Sequence, residues 1–187
     1  MTDFVSYADV NYIGNERDIL GENTMNILKE LVKKASEKIT VKTLLREEIY
    51  CFQWNTPATI EDIEAFECRN QCSLPSDYKE FLLTSNGAII FKSEYEDDGY
   101  KLLSIEEMEK VTQEMKDDGY DISDKCYCFV QCLFSNDVLL LDLQKQTNYI
   151  IDGDVGYPSN EWKCIRSDVN KFFIRLCQCN GAMYWRW

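Results

Sequence analysis

Residues Leu74 to Phe91 read LPSDYKEFLLTSNGAIIF, the most patterned stretch of the chain. Pro75 stands where a first helical turn tolerates a missing N–H, and Tyr78, Phe81 and Leu82 recur at three- and four-residue spacing, so a short amphipathic helix is expected. Asn86 and Gly87 can end that helix in the left-handed conformation and reverse the chain into AIIF, a short strand of the buried type. The stretch holds no group suited to cutting, transferring or oxidising a substrate. It reads as scaffold, with function expected in the charge displayed beside it.

Working outward, Thr59 and Asp62 resemble a capping box for a helix whose apolar stripe is Ile60, Ile63 and Phe66. Downstream, Ser104 and Glu107 form a second box, opening a helix with Ile105, Met108, Val111 and Met115 on one side, acids on the other, and Gly119 as its stop. Three strands are expected at Cys126–Phe134, Val138–Leu143 and Tyr149–Asp152, and their short connections favour an antiparallel meander. Ser167 is the expected cap of a last helix that packs through Val169, Phe172, Phe173 and Leu176. Toward the N-terminus, residues 24–39 show helical spacing through Met25, Leu28, Leu31, Val32, Ala35 and Ile39. The following VKTLLREEIYCFQWN fits a helix through Leu44, Leu45, Ile49 and Phe52, or an extended end at Tyr50–Trp54. A break at NTPAT, 55–59, divides an N-terminal helical extension, 1–55, packing on the main domain, 56–187. This order of elements predicts an α+β fold, a central antiparallel sheet packed by helices, rather than βαβ alternation.

A chain of 187 residues with 45% apolar and 13% aromatic content can bury one good core. The opening lacks a basic start followed by a long apolar run, and no later run could cross a bilayer, so a cytoplasmic protein is expected. Nine cysteines, an odd number without a signal sequence, read as reduced thiols. The net charge of −13 argues against nucleic acid and anionic membrane as partners and favours a basic protein. Between Glu94 and Asp124 stand twelve acids against Lys101, Lys110 and Lys116. Such a run fits either a solvated, solubilising face or a binding surface.

Catalytic readings find little support. With no histidine, Ser-His-Asp, Cys-His and His-ligated metal sites are excluded, and no phosphate-cradling glycine motif occurs. Paired carboxylates cannot be told from the acidic background. Neither an enzyme nor a cofactor is expected. Cys126, Cys128 and Cys132 alternate as on a strand buried on both faces, with cysteine as a small apolar filler, which leaves a structural zinc as the lesser alternative. DGDVG at Asp152–Gly156 looks like the start of a calcium loop, but Lys163 occupies the twelfth position where a glutamate belongs, so a hairpin turn suffices. Tyr184, Trp185 and Trp187 can anchor a partner; folding back onto their own domain is the preferred reading.

The succession of IEAFE, LP, DYKEFLL, NG and an apolar strand resembles the signature of the SUKH superfamily, which takes in fungal cell-wall-synthesis regulators and bacterial immunity proteins. The resemblance covers Ile60 to Phe91 closely and, more loosely, the strands and the helix at 168–179; the first fifty residues lie outside it. Ala88 stands where a second glycine is frequent. The resemblance implies a SUKH-like α+β domain, a role as cytoplasmic antidote to a polymorphic toxin, and no catalysis. Leu74, Pro75, Tyr78, Phe81, Leu82, Asn86 and Gly87 are explained by capping and packing alone. The expected contact is the loop Glu94, Tyr95, Glu96, Asp97, Asp98 and Tyr100, helped by Asp117, Asp118 and Asp121, against a cognate toxin with a basic, nuclease-type surface. The expected oligomeric state is a monomer or weak dimer. A cytosolic regulatory or scaffold module is the alternative, and a cysteine-rich metal or redox protein a weaker one.

Overall fold

The computed structural model describes residues 38–42 and 47–187. The helix expected over 24–39 lies outside them up to residue 37, and Ile39 itself opens a strand. One antiparallel sheet holds eight strands in chain order: β1 (Ile39–Lys42), β2 (Glu47–Trp54), β3 (Ala88–Ser93), β4 (Tyr100–Leu102), β5 (Cys126–Cys132), β6 (Val138–Asp142), β7 (Ile150–Gly153) and β8 (Lys163–Cys164). The helices are α1 (Ile60–Asn70), α2 (Ser76–Leu82), α3 (Ile105–Asp117) and α4 (Val169–Gln178). Sheet and helices together make the expected α+β domain.

The sheet continues across the expected boundary at 55. Residues 47–54, open to either reading, form β2 and pair with β3 through Tyr50 opposite Ser93 and Trp54 opposite Ala88. Aromatic packing favours the extended form here: Tyr50 and Phe52 both set ring edges against Phe91, at 5.7 and 4.9 Å.

Both capping boxes form. The Thr59 hydroxyl accepts the Asp62 N–H at 3.1 Å while the Asp62 carboxylate accepts the Thr59 N–H at 2.9 Å; Ser104 and Glu107 repeat the exchange at 3.3 and 3.0 Å. At α4 the cap is Asp168 rather than Ser167: its carboxylate accepts the Lys171 N–H at 2.8 Å. Ser167 is fully buried one residue earlier, and its hydroxyl donates to the Asp168 carbonyl.

The patterned stretch builds what it was expected to build, with one change of role. Pro75 is the residue that caps α2, and its carbonyl accepts the Lys79 N–H at 2.9 Å. However, α2 already ends at Leu82, before Asn86–Gly87. Gly87 does take a positive φ, +88°, but its service is to the β4–α3 junction: a Cβ there would lie 2.8 Å from the Leu102 carbonyl oxygen and 2.9 Å from the Ser104 nitrogen. Beside it, the Asn86 side-chain oxygen accepts the Ile105 N–H at 2.8 Å, a second cap for α3. Asp77 gathers the other end: it accepts from the Tyr149 hydroxyl, from the Asn170 N–H at 3.2 Å and from the Tyr78 N–H at 2.9 Å, joining α2 to α4 and to the residue before β7.

The core is an aromatic chain along β5. Phe66 of α1 meets Tyr127 at 5.3 Å, Tyr78 of α2 meets Phe129 at 5.8 Å, and Phe172 of α4 meets Phe129 at 5.8 Å. A bulge between Cys128 and Val130 shifts the β5–β6 register, so that Cys126 and Cys128 oppose Asp142 and Leu140 while Val130 opposes Leu139. The unbroken alternation expected of Cys126–Phe134 is thereby interrupted, and Cys132 falls on the other face from Cys126 and Cys128. The expected burial is present: Cys126, Cys128 and Cys132 are all buried. Desolvation of the thiolate pushes the Cys128 and Cys132 thiols up to about 12 and that of Cys126 to about 11.

Candidate partner-binding surface

The β3–β4 connection, residues 94–99, is pinned at its base and acidic at its tip. The Ser93 hydroxyl accepts the N–H groups of Tyr95 and Glu96 at 3.1 and 3.2 Å, and the Asp98 carboxylate accepts the Gly99 N–H at 2.8 Å. Gly99, at φ +119°, has no room for a Cβ, which would lie 2.8 Å from the Phe91 carbonyl oxygen and the Lys92 Cα. With the backbone so occupied, Glu94, Tyr95, Glu96 and Asp97 stand exposed and Asp98 half-buried. Glu94 pairs with Lys38, and Asp97 with Lys92 at 3.1 Å. Among the described residues, the four acids of the loop stand against these two lysines.

Tyr100 is buried and is not part of the exposed loop tip. It opens β4, is 1% exposed, sets its ring against Phe134 and Trp185 at 5.7 and 6.0 Å, and donates its hydroxyl to the Gly181 carbonyl at 2.7 Å. Burial drives its phenol well above the ordinary tyrosine range. The reading of 94–100 as one loop overlooked a strand of three residues, and the first of them turns inward.

Asp117, Asp118 and Asp121 are exposed around the end of α3. Asp117 accepts from the Gln113 side chain at 2.7 Å, the Asp118 N–H closes the helix on Glu114, and the Asp121 N–H reaches the Ser159 hydroxyl at 3.1 Å. They do not line the groove formed by the loop. Asp121 is tied instead to the β7–β8 connection, where Tyr120 stacks on Trp162 and donates to the Val155 carbonyl at 3.0 Å.

Sequence reading missed how many connections meet at this end of the sheet. The β3–β4 and β5–β6 turns touch through the Leu133 N–H on the Gly99 carbonyl at 2.9 Å, and the β5–β6 and β7–β8 turns through the Val155 N–H on the Asp137 carboxylate at 3.1 Å. Residues 182–187 lie across them. Tyr184 and Trp185 pack against Phe172, as expected of a segment that folds back, whereas Trp187 is exposed. Between them Arg186 makes two bonds of 2.8 Å to Asp152, one of 2.9 Å to Asp137 and an ion pair of 3.4 Å to Asp154. The Asp152 hydrogen bonds, helped by the charges of all three acids, raise the guanidinium above even its usual range. The acids of DGDVG thus hold an arginine. A lone basic residue inside an aromatic run of an acidic chain was the signal available in the sequence.

Between the loop and the closing segment runs an open groove of about 520 Å³, lined by Glu96, Asp97, Asp98, Tyr100, Phe134 and residues 181–183. Among the described residues, no three cysteines or carboxylates are arranged to hold a metal ion, and no helix is long and apolar enough to cross a membrane.

The sequence model of the SMI1 / KNR4 family (SUKH-1) matches residues 57–175, from just before α1 into α4. The chain is also 30% identical over 180 residues to the uncharacterized protein YobM of Bacillus subtilis (strain 168), covering 88% of this chain and 90% of that one.

Proposed function

The chain belongs to the SMI1 / KNR4 family (SUKH-1), and from that premise we propose that it is an immunity protein, which binds a toxin in the cytoplasm and blocks its active surface. The observation that carries this reading is the negative β3–β4 loop, held rigid at its base and presented beside exposed aromatic side chains. Toxins that degrade nucleic acid need a basic surface to hold it, and an acidic protein with fixed carboxylates is steered to such a surface and covers it. The antidote needs no reaction of its own. Its residues supply charge, apolar contact and a fold that does not yield.

The experiment is to express the product of the gene directly upstream with this chain and to measure binding and nuclease activity. We expect tight association, loss of nuclease activity, and an association rate that falls as salt rises. Asp97→Lys is the informative variant, because Asp97 is fully exposed and bears only the Lys92 pair, whereas Asp98 also holds the Gly99 N–H. It should slow association roughly tenfold at low salt with the melting temperature unchanged. Equal rates for wild type and variant would refute the assigned surface. A partner that is an endogenous regulatory protein would replace the antidote reading with that of a scaffold module.

A further inference from the structure

Six large apolar side chains are exposed among the described residues, and four of them stand on the connections just described: Tyr95 (71%), Phe134 (42%), Tyr157 (57%) and Trp187 (85%). The other two are Ile60, the first residue of α1, and Leu83, which follows α2. The four do not belong to one stretch of sequence; they reach one end of the sheet from three hairpin connections and the closing segment. Aromatic side chains ringed by fixed charge are the usual composition of a protein interface centre.

We propose that the groove beside the β3–β4 loop receives an arginine side chain of the partner protein, with exposed Tyr95 of that loop as an anchor beside it. The inference rests on the reading of this chain as a binder of a basic protein and names what that protein must present. Phe134 and Met183 offer an apolar wall for the aliphatic stem and the guanidinium plane, and Asp97 and Asp98 offer carboxylates for its end. The groove is open to solvent, so a long side chain can lie along it with its backbone outside. The molecule carries its own precedent on the adjoining turns. There Arg186 lies among Asp137, Asp152 and Asp154 with two parallel bonds to one carboxylate, the geometry in which arginine surpasses lysine. A second copy of this chain is a poor occupant, since its matching face is equally negative. An acidic peptide is excluded on the same ground.

The test needs no toxin. The ¹⁵N-labelled chain is titrated at low salt with the peptide acetyl-Gly-Arg-Trp-Arg-Gly-amide, its lysine counterpart and its glutamate counterpart, and amide shifts are followed by NMR. The arginine peptide is expected to shift residues 96–99, 134 and 181–183 with saturation, the lysine peptide to bind more weakly, and the glutamate peptide to shift nothing. Asp97→Asn and Phe134→Ser should each weaken the arginine peptide about fivefold. Because Phe134 touches Tyr100, Asp97→Asn keeps the test decisive should the serine variant unfold. Shifts spread over Asp117, Asp118 and other acids, or affinity indifferent to Asp97→Asn, would overturn the assignment. Protection from a toxin without these shifts removes the groove and leaves the function; the shifts without protection do the reverse.

Discussion

Replacing Arg186 by methionine isolates what fastens the closing segment to the sheet. Methionine keeps most of the apolar stem but removes three hydrogen bonds, two to Asp152 and one to Asp137, together with the pair to Asp154. Asp137 is the costly member, being 6% exposed. It keeps the Ser135 hydroxyl at 2.9 Å and the Val155 N–H at 3.1 Å, so it is not left bare. Breaking one side of a buried pair costs about 3–5 kcal/mol, and the surviving bonds place this site at the lower end, about 3 kcal/mol. For a chain of this size each kcal/mol moves the melting temperature by about 2–4 °C, so a loss of about 6–12 °C is expected. Circular dichroism melts at pH 7 read it directly, and tryptophan emission reports whether Trp185 leaves Phe172. Arg186→Lys should fall between the two, retaining charge but not the parallel pair of bonds. A shift below about 2 °C would be under 1 kcal/mol and would refute the reasoning: the segment would then be held by ring packing alone, and the acids would be indifferent to their arginine.

Gly87→Ala should destabilise the fold by more than about 2 kcal/mol, because it adds a positive-φ penalty to backbone clashes at Leu102 and Ser104; urea unfolding measures it. Acid unfolding should follow the depressed carboxylates, Glu109 and Glu67 among them. The Arg69 hydrogen bonds, aided by Asn70 and opposed by partial burial, hold Glu109 below its ordinary range. For Glu67, burial pushes upward, but Lys79, the Leu74 N–H and Ser73 together outweigh it. Both are depressed in the folded state, so their stabilisation is full above the unfolded value of 4.5 and disappears as pH falls through the folded values. Unfolding free energy followed from pH 6 to pH 3 should drop less steeply in Glu109→Gln. Thiol titration should show Cys68 and Cys164, which are exposed, reacting first, while Cys128 and Cys132, buried and each pushed up to about 12 by that burial, stay silent. All nine should react once the chain is unfolded.

Helices with a local signature were legible in advance. Thr59–Asp62 and Ser104–Glu107 name their own first turns because a capping box is complete within four residues. The cap of α4 slipped by one because Ser167 and Asp168 are both able caps, and only the burial of Ser167 decides between them. β4 was lost because three residues are too few to show alternation, and Tyr100 was misplaced with it. β2 stayed ambiguous because its strand character depends on Phe91, about forty residues away. The surface was half legible: a run of acids announces charge, but the meeting of Arg186 with Asp137, Asp152 and Asp154 depends on which ends of the strands coincide. That is a property of register, and the β5 bulge shows how little local sequence says of register.

The patterned stretch and the candidate surface divide the molecule between them. Asp77, Tyr78, Phe81, Asn86 and Gly87 all have their side chains or backbones committed to joining α2 with β3, α3, β7 and α4, and none is free to meet another protein. The β3–β4 loop is held by Ser93, Gly99 and its own backbone, so Tyr95 and Asp97 can change without a cost to the fold. Residues at the loop tip can therefore be altered while the motif stays fixed, so one scaffold can carry different recognition surfaces. The same separation makes the motif a poor guide to the partner. A test of the proposed groove is therefore separable from a test of the motif: substitutions at Asp97 bear on the first and those at Gly87 on the second.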